Sequence, residues 1–345
     1  MVLTIAAAIF VFGLLVLVHE LGHFVTAKLT DMRVDEFAIG FGPRLVNYKY
    51  GETMYSIRCI PLGGFNDIAG MDPEHNEAGD RGYSAKSVWA RMFVILAGSV
   101  MNFILPLFLF FGIFFFAGVS TPSPEPVLGT VMEHKPAAEA GLQKGDRILR
   151  IDGREVNSWT DFVQGVSNAD GKVLKVSFER QGEEKTTSLI PVYDAGSKRS
   201  LVGVVSSVDT RMPGLAESAS LAVQKTGYIL YIMMKGIVQI FTGESAAELA
   251  GPLGVAQMAG EAAQIGFVPL LNFAALLSLN LGIINLFPIP ALDGGHFMTL
   301  VFEAVRGKPL SAQALRYAQS VGIALLLALM VLATKNDIVR VFFGS

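Results

Sequence analysis

Near the start of the chain, His19, Glu20 and His23 stand in the order His-Glu-Leu-Gly-His. Side chains four apart on a helix share a face, so both imidazoles can meet one metal ion. Glu20 sits beside them, placed to hold a water on that ion. Catalytic zinc usually takes three protein ligands and a water, and two histidines with one carboxylate is a common set. The third ligand must come from elsewhere. Asp293 is the best candidate, a lone acid directly after an apolar segment, with Gly294 and Gly295 allowing close backbone approach. Read locally, Asp293 is a helix cap. The chemistry expected of this set is peptide hydrolysis with one Zn2+: the ion lowers the pKa of a water, Glu20 takes its proton, and Glu20 returns it to the leaving amine.

An HExxH pattern also occurs by chance as an ordinary charged face of a soluble helix. Here it lies in a segment that is apolar from about Ile5 to Leu29. A bilayer core needs roughly 20 residues, so this segment can span. A polar cluster is expensive in lipid, and the solvated-face reading falls away. At about 1.5 Å per residue, His19 lies roughly 21 Å beyond Ile5, past mid-membrane. Three further spans are expected at Phe93–Val119, Pro269–Phe287 and Ala314–Ala333. Asn102 is the one strongly polar residue of the second span. It reads either as a hydrogen bond between helices or as a donor near the site.

The other segments are of mixed character. Val34–Ile39 and Tyr55–Ile60 are rich in β-formers and punctuated by Gly40, Gly42-Pro43 and Gly63-Gly64, which predicts a hairpin or small sheet near the membrane surface. Residues 66–84 read as a loop, with His75 solvated. Thr121–Pro126 reads as a linker into a soluble α/β module of about 85 residues. Its strands are expected at Val127–Met132, Arg147–Ile151, Leu174–Glu179 and Thr186–Ile190. A short helix ends at Gly141, another starts near Ser158 or Thr160, and His134 is a surface residue. Residues 215–243 are apolar but carry Lys225 and Lys235. His296 is expected to be structural.

Composition agrees with a membrane protein: 17% of the 345 residues are charged and mean hydropathy is +0.48, against about 25% charged in soluble proteins. A net charge of −3 gives no sign of nucleic-acid binding. One cysteine, Cys59, excludes an intrachain disulfide and reads as a free thiol in a partly buried strand. The N-terminus lacks the basic region of a signal peptide.

HExxH in a first span, with Asn285-Leu-Phe-Pro288-Ile-Pro290-Ala-Leu292-Asp293-Gly294 late in the chain, resembles the site-2 protease family of intramembrane zinc metalloproteases, closest to its bacterial regulator-of-sigma-E branch. Gly40-Phe41-Gly42-Pro43, Pro61-Leu62-Gly63-Gly64-Phe65 and Phe302–Pro309 look like signatures of the same family. The central module resembles a PDZ domain, with Pro136–Gly141 and Gly145-Asp146-Arg147-Ile148 in the usual places. The resemblance implies His19, His23 and Asp293 as zinc ligands, Glu20 as the base, and Asn102 and Asn285 lining the site. Two departures stand out. Many relatives carry two PDZ modules where this chain has room for one. Gly98-Ser99 replaces the Gly-Pro often found before Asn102, a change expected to affect only packing.

The expected architecture is a polytopic α-helical membrane protein with four transmembrane helices, a membrane-associated β region and one inserted PDZ domain. Its parts are 1–120 (two spans and the β region), 121–210 (PDZ domain), 211–264 (interfacial amphipathic helix and linker) and 265–345 (two spans with the LDG motif). Parity supports this: if Asp293 meets the histidines, 215–243 cannot cross and should lie at the interface. Lys and Arg in the loops put the active site towards the cytoplasmic side and the PDZ domain and termini in the periplasm of a bacterial inner membrane. The β element within 34–65 would pair with an unwound substrate, for which proline at Ile57 or another edge position is a test. The PDZ groove would bind a substrate C-terminus or act as a size filter. From the resemblance, partners are the lipid bilayer, transmembrane substrates such as an anti-sigma factor, and an upstream site-1 protease, with signal-peptide remnants as further substrates. The rival readings are a catalytically silent PDZ scaffold and a metal transporter. Intact Glu20 and Asp293 argue against the first, and a single ligand set against the second.

Overall fold

The computed structural model describes residues 1–71, 79–169, 171–194, 199–244 and 251–343; His75 lies outside them. The chain opens with helix α1 (Val2–Leu29), strands β1 (Val34–Tyr50) and β2 (Thr53–Ile68), and helix α2 (Val88–Gly112), which runs into a π-helical turn at Ile113–Ala117. Next come β3 (Val119–Pro122), β4 (Leu128–Val131), α3 (Pro136–Glu139), β5 (Arg147–Ile151), β6 (Arg154–Glu155) and α4 (Trp159–Ser167). They are followed by β7 (Leu174–Arg180), β8 (Glu183–Leu189), β9 (Val192–Asp194), β10 (Arg199–Leu201), β11 (Val204–Ser206) and β12 (Val208–Arg211). The last helices are α5 (Leu215–Phe241), α6 (Pro252–Ile265), α7 (Phe267–Asn285), α8 (Asp293–Arg306) and α9 (Ala312–Phe343).

The contacts divide the chain into a helical unit (Met1–Ala117 with Gly214–Ser345) and an inserted module (Gly118–Pro213). Among the described residues of the helical unit, four helices are long and apolar enough to cross a membrane: Val2–Leu29, Val88–Ala117, Phe267–Asn285 and Ala312–Val339. Helix α5, with Glu217, Lys225 and Lys235, is not among them. Lys225 instead donates to Asn272 Oδ1 at 2.6 Å, with its ammonium 4.4 Å from the Phe110 ring centre. Helices α1 and α2 are antiparallel: Ala7, Val11 and Leu15 share a core with Leu105, whereas His23 meets Val94. Helix α7 also opposes α2, since Ala275 packs with Phe110 and Ser278 donates to the Asn102 carbonyl at 2.8 Å. Thus α1 and α7 run the same way and end at the same level. The acid in the last span has a structural partner: buried Asp337 accepts from the N–H groups of Gly251 and Gly254 and caps α6.

The hairpin is present, but its glycines bend the strands rather than end them. Gly40 (φ 90°), Gly42 (φ 83°) and Gly63 (φ 113°) occupy a region that side chains avoid. The bends make two strands into four arms. Ile39 faces Gly64 on one side and Ile57 on the other, Ala38 faces Phe65 and Ser56, and Val46 also faces Ile57. The spatial order is therefore 64–68, 34–41, 53–60, 44–50. Three expectations change. Ile57 is paired on both sides, so it is no edge position. Asn66 and Asp67 lie in β2, not in a loop. Cys59 is exposed rather than partly buried. Phe24 of α1 packs edge-on against Phe37 and Tyr55 and ties the sheet to that helix. Beneath it, Glu36 is buried and accepts from Arg44, Ser56 and Arg58.

In the module, β6-β5-β7-β8 form an antiparallel sheet over a core that includes Leu128, Ile148, Phe162 and Val176. Ser158 caps α4 in a reciprocal box with Asp161, and His134 is exposed. The stretch read as a linker is in part a strand: Thr121 and Pro122 pair with Asp209 and Val208. An edge strand tolerates the proline, and the partner lies too far along the chain for local sequence to reveal it.

Candidate metal centre

The candidate site's side chains come from two helices. His19, Glu20 and His23 ride on α1, whose last turns are held by Thr26 and Thr30 hydroxyls bonding back to the carbonyls of Gly22 and Thr26. Asp293 is the first residue of α8. Leu292 is the cap position and makes no side-chain cap bond, so the capping role suggested by local sequence is not the one Asp293 plays. Its carboxylate turns to the histidines. Gly294 and Gly295 lie against the carbonyls of Leu286, Phe287 and Ile289, where a Cβ would overlap backbone.

His19, His23 and Asp293 converge, with one ligand atom from each. The two Nε2 atoms are 3.2 Å apart, and Asp293 Oδ2 lies 3.4 Å from His19 Nε2 and 3.6 Å from His23 Nε2. Tetrahedral zinc with bonds of about 2.0–2.1 Å spaces its ligand atoms about 3.3 Å apart. The triangle fits that ion. The outer contacts fit as well. His23 Nδ1 donates to the Val94 carbonyl at 2.8 Å, which leaves the lone pair on Nε2. His19 Nδ1 faces the Asn102 amide at 3.1 Å, and Asn102 Oδ1 is buried without a partner among the described residues. Turning that amide over, a change that preserves its shape, would give His19 Nδ1–H an acceptor and free Nε2 for a metal.

Glu20 lines the same cavity, of about 290 Å³, with the three ligand candidates, Asn285, His296 and Gly64-Phe65-Asn66 of β2. Asn66 Nδ2 donates both to Glu20 Oε2 (2.7 Å) and to the Glu20 carbonyl (2.8 Å). His296 Nε2 meets Gln319 of α9 at 3.0 Å. Outside the spans, burial works to raise the Glu36 carboxyl, but Arg44, Ser56 and Arg58 outweigh it and bring it down to about 2.

Several contributors were not singled out from sequence. Asn66 fixes Glu20. Ser99, at the departure from the family's Gly-Pro, donates to Asp293 Oδ2 at 3.1 Å, so that change reaches the site and is more than packing. Gly98 gives the imidazoles their seat: a Cβ there would lie 2.8 Å from His19 Cε1 and 2.7 Å from His23 Cε1. The Gly63-Gly64-Phe65 and Gly98-Ser99 stretches were the available signals, since glycine beside a polar residue marks close approach.

Residues 7–329 match peptidase family M50. The chain is 33% identical to zinc metalloprotease RasP of Bacillus licheniformis and 32% to regulator of sigma-W protease RasP of Bacillus subtilis, covering in each case 98% of this chain and 99% of the relative. Among solved structures it is similar to the PDZ domain of an SdrC-like protein from Listeria monocytogenes, at 20% identity over 25% of this chain and 90% of that one, with a TM-score of 0.22. On the family match and these relatives over nearly its full length, the chain belongs to peptidase family M50, the site-2 proteases, and is a zinc metalloprotease of the membrane.

Proposed function

We propose that this chain hydrolyses peptide bonds in or near the transmembrane segments of membrane proteins, with His19, His23 and Asp293 holding one zinc ion and Glu20 as general base. The observation that carries this reading is the Nε2–Nε2–Oδ2 triangle of 3.2, 3.4 and 3.6 Å beside Glu20, inside helices apolar enough to span. A bound zinc supplies Lewis-acid activation of a water and of the scissile carbonyl. Glu20 takes the proton of the attacking water and delivers it to the leaving nitrogen as the C–N bond breaks. Asn66 holds the Glu20 carboxylate at the cavity, and Asn102 keeps the His19 ring in place.

The substrate must be extended before it can react, because a helix hides its carbonyls in internal hydrogen bonds. The arm 64–68 is an outer arm of the sheet and lines the cavity, which makes it the strand to which an unwound segment would add. The sigma-W regulator name of the Bacillus subtilis relative supports an anti-sigma factor as one substrate class, and an upstream site-1 protease would trim it first. The 118–213 module would act as a PDZ-type binder or size filter. In a bacterial inner membrane, the catalytic level would lie towards the cytoplasm and the termini in the periplasm.

The test is cleavage of a tagged single-span substrate in membranes, wild type beside Glu20→Gln, with zinc measured on both. The reading requires that both bind zinc and that the mutant lose at least about 10²-fold in rate. Equal rates, or zinc on neither protein, would sink it.

A further inference from the structure

We infer that the buried Arg91–Glu303 pair is a positioning device that sets the register of α8 and thereby delivers Asp293 to the histidines. The inference rests on Asp293 being a metal ligand. Arg91 is 9% exposed, on the first turn of α2. Its two terminal nitrogens donate to both Glu303 oxygens, at 3.0 and 2.5 Å, and its Nε to the Lys86 carbonyl at 3.2 Å. Such a fork fixes orientation as well as distance.

The same two helices are joined again at Ser99–Asp293. From Arg91 to Ser99 is eight residues, about 12 Å of α2; from Glu303 back to Asp293 is ten residues, about 15 Å of α8. Between these rungs Leu300 and Phe297 of α8 share a core with Met92, Val94 and Ile95 of α2. That contact is apolar and non-directional, so it tolerates sliding. The fork does not. A slip of one residue moves a helix by about 1.5 Å, whereas metal–ligand distances tolerate about 0.2 Å. Helix α2 also carries Val94 and Gly98, which seat His23, and Asn102, which meets His19. Locking α8 to α2 therefore locks the third ligand to the other two. Stability is a weaker account of the pair, because a buried ion pair adds little net stability over apolar residues of the same volume.

The experiment uses the full chain in detergent, loaded with Co2+ as a spectroscopic stand-in for zinc. Wild type is compared with Glu303→Gln, Arg91→Lys and, as the reference for a lost ligand, Asp293→Asn. The expected result is a loss of at least about 10-fold in metal affinity for both pair variants. Their tetrahedral cobalt bands should weaken towards those of Asp293→Asn, and kcat should fall with KM unchanged. Should Glu303→Gln not fold, Arg91→Lys, which keeps the charge but not the fork, carries the same test. Wild-type affinity and bands in the pair variants, with only the melting temperature lowered, would overturn the positioning role while leaving the ligand reading intact. An unchanged spectrum in Asp293→Asn would overturn both.

Discussion

Replacing Gly98 by alanine adds one methyl group to the buried face of α2. Built on the existing backbone, that carbon lies 2.7 Å from His23 Cε1 and 2.8 Å from His19 Cε1, and closer still to His23 Nε2. Carbon atoms in ordinary contact sit about 3.5–4.0 Å apart, so the rings must retreat by about 1 Å. His23 cannot do so freely, because its Nδ1 is tied to the Val94 carbonyl one turn away on the same helix. Breaking that bond costs about 1 kcal/mol and also removes the contact that fixes the tautomer. A displacement of about 1 Å is several times the tolerance of a metal site. The expected outcome is a fall of at least about 100-fold in zinc affinity, with proteolysis lost in proportion. Competition with a coloured chelator on purified protein measures the affinity, and digestion of a single-span substrate measures activity. Gly13→Ala is the control. It sits on the helix that carries the histidines, nothing lies within 4 Å of its added carbon, and zinc binding should stay at the wild-type level. A Gly98→Ala protein that binds zinc as tightly as wild type would refute the claim that this glycine forms the floor of the site.

Ser99→Ala removes the hydroxyl that bonds Asp293 while leaving the helix intact, and zinc affinity should fall by about 10-fold; an unchanged dissociation constant would make the contact incidental. Asn66→Ala frees the Glu20 carboxylate, and kcat should drop by about 10-fold or more with zinc content unchanged, a split that parallel kinetics and metal analysis would detect. Glu36 has its pKa lowered from 4.5 to about 2. A depressed carboxyl stabilises the fold above its unfolded value and loses that contribution as pH falls through the folded value. Protection factors of the amides in 34–68, which correct for the intrinsic pH dependence of exchange, should therefore be high and constant above about pH 5 and fall between about 4.5 and 2, while Glu36→Gln should show lower protection at neutral pH and lose that dependence.

What the sequence disclosed follows from which contacts are local. His19, Glu20 and His23 are legible because helical geometry alone places them together. Asp293 could only be nominated, since 270 residues separate it from His23 and nothing local distinguishes a ligand from a cap. The four spans are legible because lipid imposes a length and a composition on each. The β region was harder. Its apolar pattern marks strands, but glycine marks both a bend and an end, and only tertiary pairing shows that Gly40, Gly42 and Gly63 fold two strands into four arms. For the same reason Asn66 looked like loop and Ile57 like an edge. Ser99 was read as packing because its partner is 194 residues away.

The second span explains why so much of the site escaped a motif search. It offers neither a candidate ligand nor a base, yet Arg91, Val94, Gly98 and Asn102 lie along it three or four residues apart, with Ser99 next to Gly98. That is one face of a helix. The conspicuous residues sit on α1 and α8, which share the metal triangle, and α2 supplies the surface against which both are set. Candidate ligands from chain segments this distant need such a common support, because each must be held to a fraction of an ångström for a metal to bind. The consequence can be tested against the rest of the span. Substitutions at Phe93, Val100 and Phe108, which are exposed, should leave zinc affinity unchanged, whereas substitutions at Gly98, Ser99 and Asn102, on the face towards the histidines, should lower it even where they conserve helicity.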